Sequence, residues 1–316
     1  MREMASGLQF PEGPVALDDG SVLVGEIPRG TVTRITRDGR LQVVANCGGG
    51  PNGIAIGPDG FAWVCNNGGA RWERVWVDTM PVPGFTGGEL LVPVGPAADH
   101  RGGSIQRVDL RTGRVEDVYT ECDGRKLCSP NDLVFDAHGG FFFTDHGKSH
   151  QRQRDITGVF YATASGSEIR EVIFPLEGPN GIGLSPDGKS LYVAETPTAR
   201  LWRFSVVEPG RVHIEPGFHP LRGDLVYDPP GKRLWDSLAV EAAGNVCLAT
   251  LIEGGVTVVS PAGNLVEHVA TPDPGTTNLC FGGPDLRTAY VTLSATGRLM
   301  EVEWARPGLR LNHQSV

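Results

Sequence analysis

The sequence predicts an all-β fold, a six-bladed β-propeller in which residues 1–316 form a single domain. Three observations lead to this prediction. An apolar strand that starts at an oxygen-bearing side chain recurs along the chain, the copies lie at blade-like intervals, and the 44 Gly and 24 Pro are scattered through the turns between them. Radial repetition of four-stranded sheets around a central channel is how propellers are built.

The repeated strands share a short or medium-length polar side chain at their start, called the anchor below. The six anchors are Glu12, Asn52, Asn131, Asn180, Asp236 and Asn278. They lie 40 to 79 residues apart, and one blade of four strands takes about 40 to 50 residues. Alternating apolar residues bounded by Asp-Gly or Gly-Asn pairs, as at Leu191 and Val193, indicate hairpins between the anchors. The intervals therefore predict six blades.

The longest interval contains an insertion, at about residues 66–103. It carries Trp72, Trp76 and Phe85 among Gly and Pro residues. Long insertions in compact repeat folds are usually functional loops or partner contacts. We favour a lid or pocket wall at one end of the channel, with an oligomer contact as the alternative. The first and last strands are expected to pair and close the ring, which removes an exposed edge.

Composition excludes several classes of partner. The net charge of −9 argues against nucleic acid, because phosphate binding needs a basic surface. The N-terminal MREMASGLQF lacks an apolar signal segment, and no apolar run approaches the roughly 18 residues of a membrane span. The six cysteines form no Cys-x-x-Cys pair, and we expect no disulfide between Cys122 and Cys128. We expect a soluble, cytoplasmic protein without membrane contact, and the oligomeric state stays open.

Four anchors together form a candidate metal site. The innermost strand of each blade lines the channel, so its anchor should lie at one end of it. Glu12, Asn180 and Asp236, with Asn131 nearby, would offer two carboxylates and amide oxygens, which are ligands that Ca²⁺ accepts. No anchor is His or Cys, which disfavours a structural zinc site. Without a cation, one of two adjacent buried carboxylates would have to be protonated.

The other two anchors are interpreted differently. Asn52 and Asn278 are expected to form turns at the same end of the channel, with side chains bonding their own backbone. Contact with substrate or water is the alternative for both.

Four motifs resemble those of one known family. FPEGPV, SPNDLVFDAHGGFFFTD, GPNGIGLSPDGKSLYVAET and GNVCLAT…GGVTVVSPAG occur in this order. Together they resemble the senescence marker protein/gluconolactonase/luciferin-regenerating enzyme family over essentially the whole chain. The resemblance implies a six-bladed propeller, one divalent metal ion in the central channel, and lactonase activity.

The resemblance also implies roles for particular residues. The family's metal-binding Glu of the E-G-P motif matches Glu12, its Asn of the P-N-G motif matches Asn180, and its late Asp matches Asp236. The Asn of the N-D pair, near metal and substrate, matches Asn131. The resemblance further implies that Asp236 acts as the general base.

Two positions depart from the family's pattern. Ser237 stands where the family has a Gly after the metal-binding Asp. Ser129 stands where animal members have an Arg that binds sugar hydroxyls, in an S-P-N-D form that resembles bacterial gluconolactonases. A sugar lactone is therefore less well supported as the substrate than lactone hydrolysis as the reaction.

The predicted function is metal-dependent hydrolysis of a small-molecule lactone, sugar or related, to the hydroxy acid by metal-activated water. Ca²⁺ is the preferred ion, with Mg²⁺, Mn²⁺, Fe²⁺ or Zn²⁺ as alternatives. The predicted catalytic residues are Asp236 as base, Asn131, with Asn180, to orient substrate or stabilise the oxyanion, and His146 as a proton shuttle. The alternative for His146 is a bond to Asp145 or solvent.

Two other functions use the same scaffold. A metal-dependent arylesterase or phosphotriesterase would suit the aromatic insertion. A non-catalytic metal-binding propeller is the third reading, although there the anchors would be expected to degenerate.

Overall fold

The computed structural model describes residues 1–214, 223–231 and 233–314, and these form six sheets of four or five strands, together with two separate hairpins. A six-bladed propeller was predicted and is confirmed. The opening strand is β1 (Arg2–Ala5). Blade 1 contains β2 (Pro11–Ala16), β3 (Val22–Glu26), β4 (Thr31–Ile35) and β5 (Leu41–Asn46). Blade 2 contains β6 (Pro51–Ile56), β7 (Ala62–Asn66), β10 (Ser104–Val108) and β11 (Val115–Tyr119). A hairpin of β8 (Ala70–Val77) and β9 (Gly88–Pro96) is inserted in blade 2 between β7 and β10.

Blades 3 to 6 follow in chain order after the short hairpin β12 (Glu121–Cys122) and β13 (Arg125–Lys126). Blade 3 contains β14 (Pro130–Phe135), β15 (Gly140–Asp145), β16 (Thr157–Thr163) and β17 (Ile169–Leu176). Blade 4 contains β18 (Pro179–Leu184), β19 (Ser190–Glu195), β20 (Leu201–Glu208), β21 (Arg211–Val212) and β22 (Asp224–Tyr227). Blade 5 contains β23 (Leu234–Val240), β24 (Val246–Leu251), β25 (Gly255–Val259) and β26 (Leu265–Ala270), and blade 6 contains β27 (Thr276–Gly282), β28 (Thr288–Leu293) and β29 (Arg298–Glu303).

The ring is closed by its two ends. Strand β1 pairs antiparallel with β29 and supplies the fourth strand of blade 6. This pairing is the predicted one. It joins the N-terminal strand to a blade that is otherwise made by the C-terminal part of the chain, so neither strand is left as an open edge.

The core lies between the blades. Among the described residues, one buried apolar cluster fills each of the six interfaces between neighbouring blades. Strand β15 shows how alternation divides side chains between two clusters: Phe141 and Phe143 pack toward blade 2, and Phe142 packs toward blade 4. Successive side chains of a strand point to opposite faces. Each fully buried Phe contributes about 1.5–3 kcal/mol, so blade packing holds the channel strands rigidly.

Each inner strand has a break in its pairing register beside its anchor. The shift occurs, for example, between Glu12 and Val15 in β2 and between Pro179 and Ile182 in β18, and the inner strands of the other four blades show the same irregularity. A β-bulge bends the strand and changes the direction of a side chain. The repeated bulge therefore turns the anchors away from regular sheet geometry at the channel.

Small residues after the anchors let the inner strands approach each other closely. A Cβ on Gly13 would lie 2.2 Å from the Asn52 carbonyl oxygen, and Gly13 also holds a left-handed φ of 54°. A Cβ on Gly181 would lie 2.6 Å from the Leu238 backbone nitrogen. Glycine avoids both conflicts because it has no Cβ. The Gly of the E-G-P and P-N-G motifs is thus explained by packing around the channel.

The six cysteines, all within the described residues, are free thiols. Among those residues there is also no helix long and apolar enough to cross a membrane.

Candidate active site at one end of the channel

A cavity of about 530 Å³ opens at the end of the channel where the inner strands begin. Its volume falls in the range of small-molecule sites. All four predicted metal ligands line it, as does the predicted proton shuttle. Its polar lining includes Glu12, Asn52, Asn131, Asn180, Asp236, His146 and Lys148.

Glu12 is buried beneath this cavity, with 3% of its surface exposed. Its Oε2 accepts hydrogen bonds from the Gly13 backbone N–H at 3.2 Å and from Asn278 Nδ2 at 3.2 Å. Burial, followed by the negative charge of Asp236, raises the pKa of Glu12 well above its ordinary value. The Asn278 Oδ1 accepts the Leu279 backbone N–H at 2.7 Å, so its side chain bonds its own backbone as expected. It does so within strand β27 rather than in a turn, and its Nδ2 also fixes Glu12.

Asp236 lies opposite, in β23, and is partly exposed to the cavity. The pKa of Asp236 is raised to about 7, chiefly because its carboxyl group is removed from bulk water; the Asn180 side chain opposes this rise and the charge of Asp132 adds to it. Asp132 is a third buried carboxyl group, whose pKa burial also raises to about 7. Like charges held close together in a desolvated site favour the protonated form. Within the described residues, no basic side chain opposes the raised pKa values of Glu12 and Asp236, so these two candidate ligand carboxylates lack a compensating positive charge.

The asparagine anchors present amide oxygens. Within the described part of the chain, the buried Oδ1 atoms of Asn131 and Asn52 have no hydrogen-bond partner. Buried polar atoms are normally paired, so an unpaired oxygen beside a cavity calls for an explanation such as an ion, water or ligand. Asn52 lies within strand β6, so its interpretation as a turn former is also wrong.

Asn180 is held more firmly. Its Nδ2 donates to Thr196 Oγ1 at 3.1 Å, and its Oδ1 accepts from Ser237 Oγ at 3.3 Å. Its backbone carbonyl accepts from Thr144 Oγ1 at 2.6 Å. The hydroxyl of Ser237, the residue that departs from the family's pattern, thus takes part in fixing the neighbouring anchor.

These residues fit a hard divalent cation. No group of three His, Cys, Asp or Glu side chains in metal-binding geometry occurs in residues 1–214, 223–231 and 233–314. The predicted ligand set does not require one, because it combines the carboxylates of Glu12 and Asp236 with the amide oxygens of Asn131 and Asn180. The unpaired Asn131 oxygen and the uncompensated carboxylates both fit such an ion, since Ca²⁺ accepts carboxylate and amide oxygens.

His146 follows β15 directly and lines the cavity. Its Nε2 lies 3.1 Å from an Arg154 guanidinium nitrogen, which can only donate, so the neutral ring carries its proton on Nδ1. Burial, then the charges of Arg154 and Lys148, lower the pKa of His146 to about 3. The partner is therefore Arg154 rather than the expected Asp145 or solvent, and the imidazole is neutral at ordinary pH.

Asp145 has a structural role that the sequence did not indicate. Its carboxylate accepts from the backbone N–H groups of Cys128, Ser129 and Gly147 at 2.7, 2.7 and 3.0 Å. It thereby joins the segment before Asn131 to the loop of His146.

The same hydrogen-bonding arrangement recurs in the first four blades. The last residue of the second strand accepts a backbone N–H from the segment that leads into the inner strand of the same blade. These residues are Glu26, Asn66, Asp145 and Glu195. An oxygen-bearing residue at the end of the second strand is visible in the sequence of these four blades, and it could have been found by aligning the repeats beyond their anchors.

The insertion forms a wall over this end of the channel. Its hairpin, β8 and β9, contributes Trp72, Leu90 and Val92 to the cavity lining. The Trp72 ring packs on Phe10, with ring centroids 4.7 Å apart. The insertion thus lies over the anchors rather than beside the blades.

A six-bladed propeller with two carboxylates and unpaired amide oxygens at one end of its channel is a scaffold that suits an enzyme or a binding protein for a small molecule. The chain belongs to the SMP-30/gluconolactonase/LRE-like family, whose model matches residues 10–295. The resemblance stated from the motifs is confirmed.

Individual relatives agree with this assignment. The chain is 26% identical over 303 residues to a gluconolactonase of Zymomonas mobilis, a match that covers 88% of this chain and 75% of the relative. It is 31% identical over 170 residues to the lactonase drp35 of Staphylococcus saprophyticus, covering 54% of this chain and 50% of the relative. The chain thus spans about half the length of that lactonase. Both named activities are hydrolyses of carboxylic esters, the predicted enzyme class.

One solved structure shows the same fold. A calcium-binding protein, regucalcin, from Agrobacterium tumefaciens superposes with a TM-score of 0.69 at 18% identity, covering 98% of this chain and 97% of that one.

Proposed function

We propose that this protein is a metal-dependent lactonase that hydrolyses a lactone to its hydroxy acid at the cavity above the anchors. The observation that carries the proposal is the pair of carboxylates, the buried Glu12 and the partly exposed Asp236, beside the unpaired Asn131 oxygen. Relatives named gluconolactonase and lactonase support the reaction. The calcium-binding relative supports Ca²⁺ as the ion.

Glu12, Asn131, Asn180 and Asp236 would hold the ion. A divalent cation bound there would polarise the ester carbonyl and lower the pKa of a water molecule. Asp236 is proposed to accept a proton from the attacking water. The water oxygen forms the new bond to the carbonyl carbon, the ring C–O bond breaks, and the proton passes from Asp236 to the departing alkoxide.

The neighbouring residues orient the reactants. Asn180, held by Thr196 and Ser237, keeps its amide in one orientation beside Asp236. Asn131 is proposed to contact the carbonyl oxygen of the substrate. His146 is neutral, so we propose that it lines the site as an uncharged imidazole and does not cycle through an imidazolium.

The second candidate function is an arylesterase or phosphotriesterase at the same site. The apolar hairpin wall, with Trp72 and Leu90 facing the cavity, favours it. A substrate panel separates the two: a pH-stat assay with lactones, aryl acetates and an aryl phosphotriester, before and after chelator dialysis and Ca²⁺ add-back. We expect lactones to be hydrolysed fastest and activity to be lost and then restored. Faster turnover of the phosphotriester, or activity indifferent to the chelator, would contradict the proposal.

A further inference from the structure

The cavity has two chemically different walls. Blades 3 and 4 contribute hydroxyl, amide and basic groups, from Ser129, Asn131, His146, Lys148, Ser149, Asn180 and Thr196. The hairpin and the segments from blades 1, 5 and 6 contribute apolar side chains, among them Phe10, Ile27, Trp72, Met80, Leu90, Val92, Leu234, Leu251 and Ile252. A ligand bound at the anchors therefore has polar partners on one side and a hydrocarbon surface on the other.

The apolar wall is fixed at both ends. The hairpin leaves the ring in blade 2, between β7 and β10. At the far side of the hairpin, the Leu91 N–H donates to the Ala295 carbonyl at 3.0 Å. Val82 is buried and packs against Gly254, because a Cβ added to Gly254 would lie 2.8 Å from the Val82 Cγ1. The hairpin thus crosses from blade 2 to blades 5 and 6. It is a permanent part of the cavity wall.

Two apolar residues of this wall hold backbone conformations that their side chains disfavour. Phe10 has a φ of 44° and Ile252 a φ of 74°. Such angles are genuine outliers for bulky or β-branched residues and cluster at functional sites. Glycine or asparagine would be favoured at both positions on backbone grounds alone. Both residues line the cavity with hydrocarbon: Phe10 packs on Trp72, and Ile252 is 40% exposed.

We propose that the substrate carries an apolar substituent, an alkyl chain of several carbons or an aryl group, which binds against Trp72, Leu90 and Ile252 while its ester group lies at the anchors. This inference rests on the proposed function and narrows its substrate class. A polyhydroxylated sugar lactone would bury hydroxyl groups against hydrocarbon, where their hydrogen bonds to water are lost without replacement. An alkyl chain gains free energy with each buried methylene.

The test is a homologous series of γ-lactones, from γ-butyrolactone to γ-decanolactone, with glucono-δ-lactone for comparison. We expect kcat/KM to rise by about fourfold for each methylene added, and glucono-δ-lactone to be at least about tenfold poorer than the decanolactone. Binding of 2-alkylcyclopentanones, which lack the scissile ring oxygen, is measured by calorimetry on the same protein. Their affinity should rise by the same factor per methylene.

Two variants and one control locate the effect. Trp72→Ala removes the aromatic surface, and Ile252→Asn places a residue that tolerates positive φ at the strained position, so its fold should be retained. Both variants should reduce the increase in kcat/KM and in ketone affinity that each added methylene produces. Trp76→Ala, on the same hairpin but 71% exposed, should leave it unchanged.

The outcomes are distinguishable. Hydrolysis that is fastest for glucono-δ-lactone, or a flat response to chain length in both assays, would overturn the apolar substrate class and leave lactone hydrolysis standing. If no lactone is hydrolysed but ketone affinity rises with chain length and falls in Trp72→Ala, the proposed function fails and the apolar subsite stands.

Discussion

The two ends of the central channel are formed by the same six inner strands, but they differ in chemistry and in what covers them. Where the strands begin, oxygen-bearing anchors face a cavity of about 530 Å³ beneath the hairpin. At the other end of the channel, a cavity of about 80 Å³ is lined chiefly by apolar side chains of the inner strands, with Asp132 and Asn278 as polar lining residues.

The second end is covered by the C-terminal segment. Its Leu309 N–H donates to the Val240 carbonyl at 2.8 Å, and Asn312 Nδ2 donates to the Phe135 carbonyl at 2.9 Å. Leu309 and Asn312 line the small cavity. The chain thus binds its own tail at one end, which leaves the other end for ligands. A symmetric ring thus becomes a site because five of the six anchors line an open cavity at one end, whereas the other end is covered.

The largest expected effect is on kcat, and it distinguishes Asp236 from Asp132, two residues whose carboxyl pKa values are both raised to about 7. Asp236 lines the large cavity and Asp132 the small one. Asp236→Asn should lower kcat for lactone hydrolysis by about 10³-fold, within the range for a lost general base. Asp132→Asn, the matched control, should lower it by less than about tenfold. Steady-state kinetics with circular dichroism to check folding measures both. Equal losses would remove the distinction between the two ends.

A smaller effect, on Ca²⁺ affinity, is expected when the residue that donates a hydrogen bond to Glu12 is replaced. Asn278→Ala removes the amide that donates to Glu12 Oε2, and loss of such a supporting contact typically weakens metal binding 10- to 100-fold. Calorimetric titration with Ca²⁺ measures this. Asn264→Ala, at a surface turn that ends in the Ser260–Asn264 hydrogen bond, is the control and should bind like the wild type. Unchanged affinity in Asn278→Ala would show that Glu12 needs no such support.

The pH dependence of stability should reveal the uncompensated carboxyl groups. Glu12, Asp132 and Asp236 have pKa values raised in the folded state, so between about pH 4 and pH 7 the folded protein binds more protons than the unfolded chain. Stability of the metal-free protein should therefore fall as pH rises through this range. The Tm from calorimetry should drop by several degrees over this range. Saturating Ca²⁺ should raise the Tm by more at pH 8 than at pH 5. A Tm that rises over the same range would contradict the assignment.

The smallest effect is expected at the covered end. Asn312→Ala removes the hydrogen bond to the Phe135 carbonyl and should cost about 1 kcal/mol of unfolding free energy, without changing kcat or KM. Urea unfolding followed by the lactone assay checks both. A loss of activity with unchanged stability would connect the tail to the active end.

The parts of this structure that were predictable are those that repeat. The anchors and their spacing indicated six blades because each blade needs one inner strand at the channel. The same repetition placed Glu12, Asn131, Asn180 and Asp236 at one cavity. Asn52 was misread because Asn followed by Gly is also common in turns, and a local pattern cannot distinguish a turn from a bulged strand.

The remaining features depend on contacts between distant segments. Arg154 as the partner of His146, Asp145 as the acceptor for the Asn131 segment, and Asn312 over the far end of the channel follow from three-dimensional neighbours. Arg154 and Asn312 lie outside the repeated unit, so no periodicity marks them, whereas Asp145 has counterparts at the ends of the second strands of blades 1, 2 and 4. The hairpin was visible as an insertion, but the two blades that hold its far side were not.

The most direct test measures ion occupancy and turnover on the same samples. Chelator-dialysed protein is titrated with Ca²⁺, bound calcium per chain is measured by equilibrium dialysis, and lactone hydrolysis is assayed at each point, with Glu12→Gln alongside. We expect hydrolysis to rise in proportion to occupancy and to saturate at one ion per chain, while Glu12→Gln binds weakly and stays inactive at the same calcium concentrations. Full hydrolysis by protein with no bound ion would contradict it.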